Sequence, residues 1–127
     1  MKDYKRYFTL HADPEEVYLA LVREQAIKLW TGEEAEMQEA PDTEFSLWSG
    51  NIVGKNIAFE YGKKIIQEWY FGEQEQASIV TIKVHPHKKG TSLEVSHTHI
   101  PDEDYENIVE GWEDVYIASL SDFFDEG

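Results

Sequence analysis

Residues 101–126 read PDEDYENIVEGWEDVYIASLSDFFDE, and their pattern is the strongest indication of the architecture. Its large apolar residues recur at steps of three and four, which is the spacing of one face of a helix. Acidic residues stand at its start, at 102–104, where the helix dipole favours negative charge. The stretch therefore predicts a long C-terminal helix whose inner face carries Tyr105, Ile108, Val109, Trp112, Tyr116, Ser119, Leu120 and Phe123.

The residues before this helix follow a different period. From Glu33 to Ile100 apolar and polar residues alternate, with turn residues at intervals, which is typical of short antiparallel strands. In the last hairpin, pairing Val80, Ile82 and Val84 with the apolar residues of the next strand requires His97 to face inward. The pattern predicts strands at about 33–39, 43–49, 52–60, 64–72, 77–86 and 91–100, with a turn at 72–76 before the fifth of them.

The N-terminal segment supplies one more strand and a helix. Residues 4–11 favour a strand, and Asp13 followed by Pro14 favours a helix start, with Asp13 as the N-cap and the helix continuing to about Thr31. We therefore expect an α+β fold in which a curved antiparallel sheet of six to seven strands wraps around the C-terminal helix, with short N-terminal helices. The length fits a single domain, residues 1–127.

The charge of the chain excludes several functions. Its 127 residues include 26 acidic and 11 basic side chains, a formal net charge of −15 at pH 7. Binding to nucleic acid or to an anionic membrane requires Lys and Arg that neutralise phosphates, so both classes of partner are excluded. No apolar run approaches the ~20 residues of a membrane-spanning helix, so we expect a cytoplasmic protein. The absence of cysteine excludes disulfides and thiolate metal sites.

The acidic residues are concentrated near the C-terminus. Residues 90–127 contain 11 acidic residues and no Lys or Arg. On the predicted helix many of them lie opposite the apolar face, which favours a solvated surface that keeps the protein soluble. The same surface is also a candidate for binding a basic partner. We call this surface the acidic face, and its candidate residues are Glu106, Glu110, Glu113 and Asp114.

Neither a metal site nor a catalytic site is indicated. Two His-x-His pairs, at 85–87 and 97–99, lie on adjacent predicted strands but about 20 Å apart at the rise of a strand, too far to share one ion. Glu60, Glu68 and His97 are suited to acid–base chemistry only if they are buried together, and the alternation gives no reason to expect that. We therefore predict no metal, no cofactor and no catalytic residues.

Three stretches resemble a known family. They are residues 13–18 with Trp30, residues 45–52 continuing to 65–69, and residues 90–97 continuing to Pro101 and Gly111–Trp112. They are similar to the homologues of the activator of the heat-shock-protein-90 ATPase, in the START-related, birch-pollen-allergen superfamily. The resemblance implies a helix-grip fold with a cavity under the C-terminal helix for hydrophobic or aromatic small molecules. His97 matches a position that is often histidine in that family.

The candidate cavity residues are mostly aromatic, and for each of them core packing is the alternative role. The first hypothesis is a non-enzymatic protein that holds a small hydrophobic or aromatic ligand between sheet and helix. The second is a stress-related, co-chaperone-like domain that contacts a chaperone, or another basic protein surface, through the acidic face. A cyclase or hydrolase is less favoured, because no catalytic motif supports it. The candidate cavity residues are Trp30, Trp48, Phe59, Trp69, His97, Trp112 and Tyr116.

Overall fold

A computed structural model describes residues 1–72 and 76–126 and contains one six-stranded antiparallel sheet. The strand order is β1-β6-β5-β4-β3-β2, so the N-terminal strand lies beside the last one. No helix in the described part of the chain is long and apolar enough to cross a membrane. The strands are β1 (Lys2–Leu10), β2 (Thr43–Leu47), β3 (Ile52–Glu60), β4 (Lys64–Trp69), β5 (Ser78–His87) and β6 (Gly90–Ile100).

The helices cover one face of this sheet. Helix α1 (Pro14–Val22) packs on β5 and β6, and α2 (Glu24–Thr31) packs against the end of the C-terminal helix. The C-terminal helix consists of α3 (Tyr105–Glu110), a π-helical turn (Gly111–Tyr116) and α4 (Ile117–Glu126). The α+β fold predicted from the sequence, a curved antiparallel sheet around a C-terminal helix with short N-terminal helices, is confirmed.

The β5–β6 hairpin has the predicted register. Val80 lies opposite His97, Ile82 opposite Val95 and Val84 opposite Leu93. All six side chains are buried, because they form the inner face of the sheet beneath the helices. His97 therefore faces inward, as the alternation of apolar residues required.

The strand predicted at 33–39 is wrong. Only Glu36 pairs with another residue there, exchanging two backbone hydrogen bonds of 2.9 and 3.0 Å with Ser46. Ala35 and Met37 are buried on either side of this bridge. Because alternate residues are buried, the sequence of this segment has the two-residue period of a strand, although the segment forms only one isolated bridge and no continuous ladder of hydrogen bonds. The sheet accordingly has six strands, and the predicted turn at 72–76 falls mainly on residues 73–75, outside the described residues.

The helical segment predicted from residue 14 to about 31 is present, but it is divided into two helices. Arg23 has an extended backbone (φ −94°, ψ 122°) and separates α1 from α2. Its amide donates to the Leu19 carbonyl to end α1, and its carbonyl accepts from Ile27 to begin α2. Asp13 occupies the N-cap position of α1, but its side chain makes no capping hydrogen bond.

The C-terminal helix is long, as predicted, but it is not regular. The turn at Gly111–Tyr116 is π-helical, so it contains one residue more than an α-helical turn, yet the predicted residues Trp112 and Tyr116 still face the sheet. Trp112 and Tyr116 in this turn are buried, whereas no residue of α3 is. The turn thus places two large aromatic side chains under the helix, at the site described next.

Candidate functional site

An aromatic cavity of about 280 Å³ lies between the sheet and the middle of the C-terminal helix. Its walls come from the residues after β2, the start of β3, the end of β4 and one side of the helix, and they are almost entirely apolar. Apolar walls with a few polar groups are the usual make-up of small-molecule sites. We call this space the aromatic cavity, and it is lined by Trp48, Asn51, Ile52, Trp69, Phe71, Asn107, Ile108, Gly111, Trp112, Val115 and Tyr116.

Aromatic rings in contact with one another form most of the wall. Trp69 stacks on Trp112, with ring centroids 4.9 Å apart and planes 19° apart, and Trp112 meets Tyr116 at 4.5 Å. Trp48 lies 5.6 Å from Tyr116 and 5.5 Å from Trp30, which is outside the wall. Such pairs add about 0.5–1.5 kcal/mol each beyond the area that they bury. The wall is therefore a surface of aromatic rings packed against one another.

Hydrogen bonds behind the wall fix the Trp69 ring. The indole Nε1 of Trp69 donates to Gln67 Oε1 at 2.9 Å, and Gln67 Nε2 donates to Asn56 Oδ1 at 2.9 Å. The Asn56 amide then donates to the Thr43 hydroxyl and to the Gln38 carbonyl, each at 3.1 Å. Gln67 and Asn56 are both buried. A satisfied polar network of this kind specifies one orientation for the side chain at its end.

The backbone at Trp48 is strained, because it adopts an unfavourable left-handed conformation. Trp48 and Ser49 both have positive φ, 50° and 55°, and Gly50 follows at 93°. Side chains other than glycine rarely adopt this left-handed region, at a cost of order 1–3 kcal/mol for each residue. The turn places the Trp48 ring against Tyr116 at the rim of the aromatic cavity, and packing around it holds the strained backbone.

His97 lies one layer behind the wall and is fully buried. Trp112 Nε1 donates to His97 Nδ1 at 3.0 Å. Because Nδ1 accepts this bond, the proton of the neutral ring is on Nε2. Nε2 has no hydrogen-bond partner in the described part of the chain, and burial lowers the pKa of His97 to about 4. His97 is therefore a neutral donor, 5.3 Å from the Trp69 ring and 5.8 Å from the Phe71 ring.

Tyr116 is a tyrosine in the wall of the aromatic cavity. Its side chain is 5% exposed and lines the aromatic cavity. Burial raises its pKa, so the hydroxyl stays protonated. The hydroxyl makes no hydrogen bond within residues 1–72 and 76–126. Apart from the tryptophan indoles, Tyr116, Asn51 and Asn107 are thus the lining residues with polar side-chain groups.

The sequence-predicted cavity residues do not all lie in the wall. Trp48, Trp69, Trp112 and Tyr116 line the aromatic cavity together. Trp30 and His97 pack behind these rings, and the Trp30 indole donates to the Ala20 carbonyl at 2.8 Å. Phe59 is half-buried on β3, opposite Ile65, and lies apart from this group of rings.

Several lining residues were not among the sequence candidates. Phe71 is one of them. It lies two residues after Trp69, and residues two apart in an extended segment point to the same side, so the sequence could have indicated it. Val115 is another, and it lies three residues after Trp112 and four after Gly111, which also line the cavity.

The acidic face is smaller than predicted. Glu106, Glu110 and Asp114 are exposed on the C-terminal helix. Glu113 is not part of this surface, because its carboxylate accepts from Arg6 Nη1 at 2.7 Å and from the Tyr4 hydroxyl at 2.9 Å. The Arg6 hydrogen bond lowers the pKa of Glu113. The candidate acidic face therefore consists of Glu106, Glu110 and Asp114, and Glu113 attaches the helix to β1.

The residues considered for acid–base chemistry are not brought together. Glu60 is exposed at the end of β3, and Glu68 lies on the opposite face of the sheet from Gln67 and Trp69, whereas His97 is on the inner face. His85 pairs with Glu94 at 2.9 Å, away from His97. In the described ranges no three His, Asp or Glu side chains are grouped as metal ligands.

Comparison with known proteins places this fold in a family. The family described as "Activator of Hsp90 ATPase homolog 1-like protein" matches residues 11–125. The "Activator of 90 kDa heat shock protein ATPase homolog" of Dictyostelium discoideum is 30% identical over 104 residues, which are 78% of this chain and 27% of that protein. The "Hsp90 co-chaperone AHA1" of Saccharomyces cerevisiae is 24% identical over 120 residues, 88% of this chain and 34% of that protein.

A solved structure shows the same fold. The crystal structure of an HSP90 activator from Plasmodium falciparum superposes with a TM-score of 0.83 at 22% identity, covering 93% of this chain and 92% of the other. The chain spans about a quarter to a third of the length of the two curated relatives named above. With 115 of its residues inside the family match and the six-stranded sheet around a C-terminal helix, the chain belongs to the Activator of Hsp90 ATPase homolog 1-like family.

Proposed function

We propose that the chain is a non-enzymatic binding domain that holds one small, mostly apolar molecule in the aromatic cavity. The observation that carries the proposal is the cavity itself, about 280 Å³ in volume and walled by Trp48, Trp69, Trp112 and other aromatic and aliphatic groups. This volume is at the small end of ligand pockets, which span about 300–1,000 Å³. An aromatic molecule of one or two rings fits that size and can stack on the wall.

The test is a calorimetric titration with 2-isopropenylnaphthalene, an uncharged two-ring hydrocarbon. A variant that fills the site without disturbing the fold is Gly111→Leu, because Gly111 lines the cavity and a Cβ at this position meets no atom within 4 Å. The matched control is Glu110→Leu, which adds the same side chain at an exposed neighbouring position.

We expect saturable binding by the wild type and by Glu110→Leu, and strongly weakened binding by Gly111→Leu. Binding of equal strength in all three proteins would place the probe elsewhere on the surface. Absence of binding to the wild type would overturn the proposed function.

A second candidate function is a co-chaperone-like domain that binds a chaperone of the Hsp90 class. Similarity to a protein named as an activator of the 90 kDa heat shock protein ATPase, over 78% of this chain, and to one named as an Hsp90 co-chaperone, over 88% of this chain, supports it. Glu106, Glu110 and Asp114 are exposed and close together on the C-terminal helix, so they offer a negative surface for a basic partner.

Binding to immobilised Hsp90 tests this candidate. Reversal of the acidic face, as Glu106→Lys with Glu110→Lys and Asp114→Lys, should abolish binding, and added salt should weaken binding by the wild type. Reversal of two exposed acids on α1, Glu15→Lys with Glu16→Lys, is the control and should leave binding unchanged. Equal loss in both variants would indicate a non-specific effect of net charge and count against the acidic face.

A further inference from the structure

Several of the 11 basic residues lie at one end of the sheet, where β4 begins and β5 ends. The Lys63 carbonyl accepts a hydrogen bond of 2.8 Å from the Val84 amide, so the turn before β4 lies beside β5. The chain has 26 acidic residues, and a group of cations departs from this overall charge. We call this group the lysine patch, and it consists of Lys63, Lys64, Lys83, Lys88 and Lys89.

The lysine patch is on the outer face of the sheet. Lys83 lies between Ile82 and Val84, whose side chains are buried on the inner face, so its own side chain points to the other face. Lys64 is directly opposite Lys83 in the ladder and shares that face. The helices pack on the inner face. The lysine patch is therefore separated by the sheet from the aromatic cavity and from the acidic face.

The lysine patch contains a like-charge pair. Residues directly opposite in an antiparallel ladder have Cβ atoms about 5 Å apart, and like charges at such positions repel each other. Lys64 has one carboxylate partner, Glu60 at 4.0 Å, which Lys63 shares at the same distance. Lys83 forms no ion pair with any residue in 1–72 and 76–126. An anion that lies between Lys64 and Lys83 would remove this repulsion.

The lysine patch has the length of a short extended peptide. Lys83, His85 and His87 follow one another at alternate positions of β5, and from the first to the last is about 13 Å at the rise of a strand. His87 Nδ1 accepts from the Lys89 amide at 3.0 Å, so Nε2 of the neutral ring is a donor. Lys88 and Lys89 are exposed in the turn that follows. This line offers ammonium groups and an N–H donor, and the matching groups on a partner are anionic acceptors.

We propose that the lysine patch binds an acidic segment of a partner protein, in an extended conformation with carboxylates at alternate residues. Alternate side chains of an extended segment are about 6.6 Å apart, which is the spacing of the outward-facing residues of β5. The screening length is about 10 Å at 0.1 M salt, so such a segment is attracted by the lysine patch and is little affected by the acids on the helices. This inference goes beyond the proposed function, because it concerns a different surface.

The test is an NMR titration of the whole chain with a ten-residue peptide in which glutamate alternates with serine. Amide shifts report both the affinity and the place of binding. We expect saturable shifts confined to residues 62–64 and 83–90. A peptide with glutamine in place of glutamate is the matched probe and should cause no shifts. A thymidine oligonucleotide of the same charge as the acidic peptide should bind more weakly than that peptide.

The variant Lys64→Gln with Lys83→Gln removes the like-charge pair. We expect its affinity for the acidic peptide to fall about fivefold, as for the loss of two exposed ion pairs. Lys2→Gln with Lys55→Gln is the control, because it changes the net charge equally at lysines outside the lysine patch, and it should bind like the wild type. All four substitutions are on the surface, and the amide spectrum of each variant verifies its fold.

Three outcomes would overturn the inference. The first is equal affinity in the two double variants, or shifts that fall on the C-terminal helix instead of the lysine patch. The second is tighter binding of the oligonucleotide, which would make the surface one for nucleic acid. The third is self-association of the wild type that Lys64→Gln with Lys83→Gln abolishes, because the occupant would then be a second copy of this chain. Binding of an uncharged probe in the aromatic cavity does not depend on any of these results.

Discussion

His97 and Trp112 are both buried and are joined by a hydrogen bond. The Trp112 indole fixes the tautomer of His97, and burial keeps the ring neutral. The pair joins β6 to the π-helical turn, so it also sets how close the helix lies to the sheet. Protonation of His97 would place an unsolvated charge between Trp69, Phe71 and Trp112.

This environment predicts a loss of stability in acid. The pKa of His97 is about 4 in the folded protein, against 6.5 for a free side chain. Between these values the unfolded chain binds a proton that the folded chain does not, so the free energy of unfolding falls as the pH falls. The loss is absent above about pH 6.5 and reaches about 3 kcal/mol below about pH 4.

Denaturant unfolding of the wild type and of His97→Gln over this pH range measures the effect. Glutamine keeps an acceptor for the Trp112 indole but takes up no proton, so the variant should have the shallower pH dependence. Parallel curves for the two proteins would show that His97 titrates normally.

The same residues show how far the sequence predicts the site. Alternation along β6 was sufficient to turn His97 inward, and helical spacing brought Trp112 and Tyr116 to one face. The hydrogen bond between His97 and Trp112 was not predictable, because it depends on the distance between sheet and helix. Phe59 is partly buried but is not among the lining residues of the aromatic cavity, and its pattern along the strand does not reveal what covers it.

The β5–β6 hairpin was predicted in register because most of its apolar residues, among them Val80, Ile82 and Val84, alternate with residues of the opposite face and so fall on one side of the sheet. The breaks in the helices were not predicted. Arg23 interrupts the N-terminal helix with neither Gly nor Pro beside it, and the π-helical turn at Gly111–Tyr116 preserves the three- and four-residue spacing of the aromatic side chains. Both irregularities depend on how the helices pack against other elements, and the helix propensity of the local sequence does not predict such packing.

The pairing of β2, β3 and β4 depends on Gly54. A Cβ at this position would collide with the backbone oxygen of Glu68 and lie 2.7 Å from the Phe45 ring. Gly54 is opposite Trp69 in the ladder, so any shift of β4 also moves the wall of the aromatic cavity. Close backbone approach of this kind requires glycine in a strand.

We therefore expect Gly54→Ala to lower the free energy of unfolding by about 3 kcal/mol, as overpacking against backbone does. Gly111→Ala is the control, because a methyl group there meets no atom within 4 Å, and alanine is the better helix former. Denaturant midpoints of the two variants should shift in opposite directions. A Gly54→Ala protein as stable as the wild type would show that β4 can move without cost.

At the scale of the whole molecule, charge is distributed unevenly. Residues 90–127 hold 11 of the 26 acidic side chains and none of the basic ones. Some of these acids are paired, as Glu113 is with Arg6 and Glu94 is with His85. Those of the acidic face are exposed and repel one another, which destabilises the folded state at low ionic strength.

Added salt should therefore stabilise the protein. Screening lengths fall from about 30 Å at 0.01 M to about 10 Å at 0.1 M, so repulsion between exposed carboxylates weakens over this range. Scanning calorimetry should show a melting temperature that rises from low salt to 0.3 M sodium chloride. The rise should be smaller in a variant with Glu106→Gln, Glu110→Gln and Asp114→Asn, and a steady fall with salt would contradict the expectation.

The π-helical turn also has a consequence for how fast the cavity can be filled. It interrupts the regular hydrogen-bond ladder between α3, which buries no residue, and α4, which buries Leu120. A segment with so little burial opens locally at a lower free energy than its neighbours, and its amides exchange with solvent sooner. Since Asn107 and Ile108 of α3 line the cavity, we expect the opening of α3 to set how fast a small molecule enters it, while α4 stays packed through the buried Leu120.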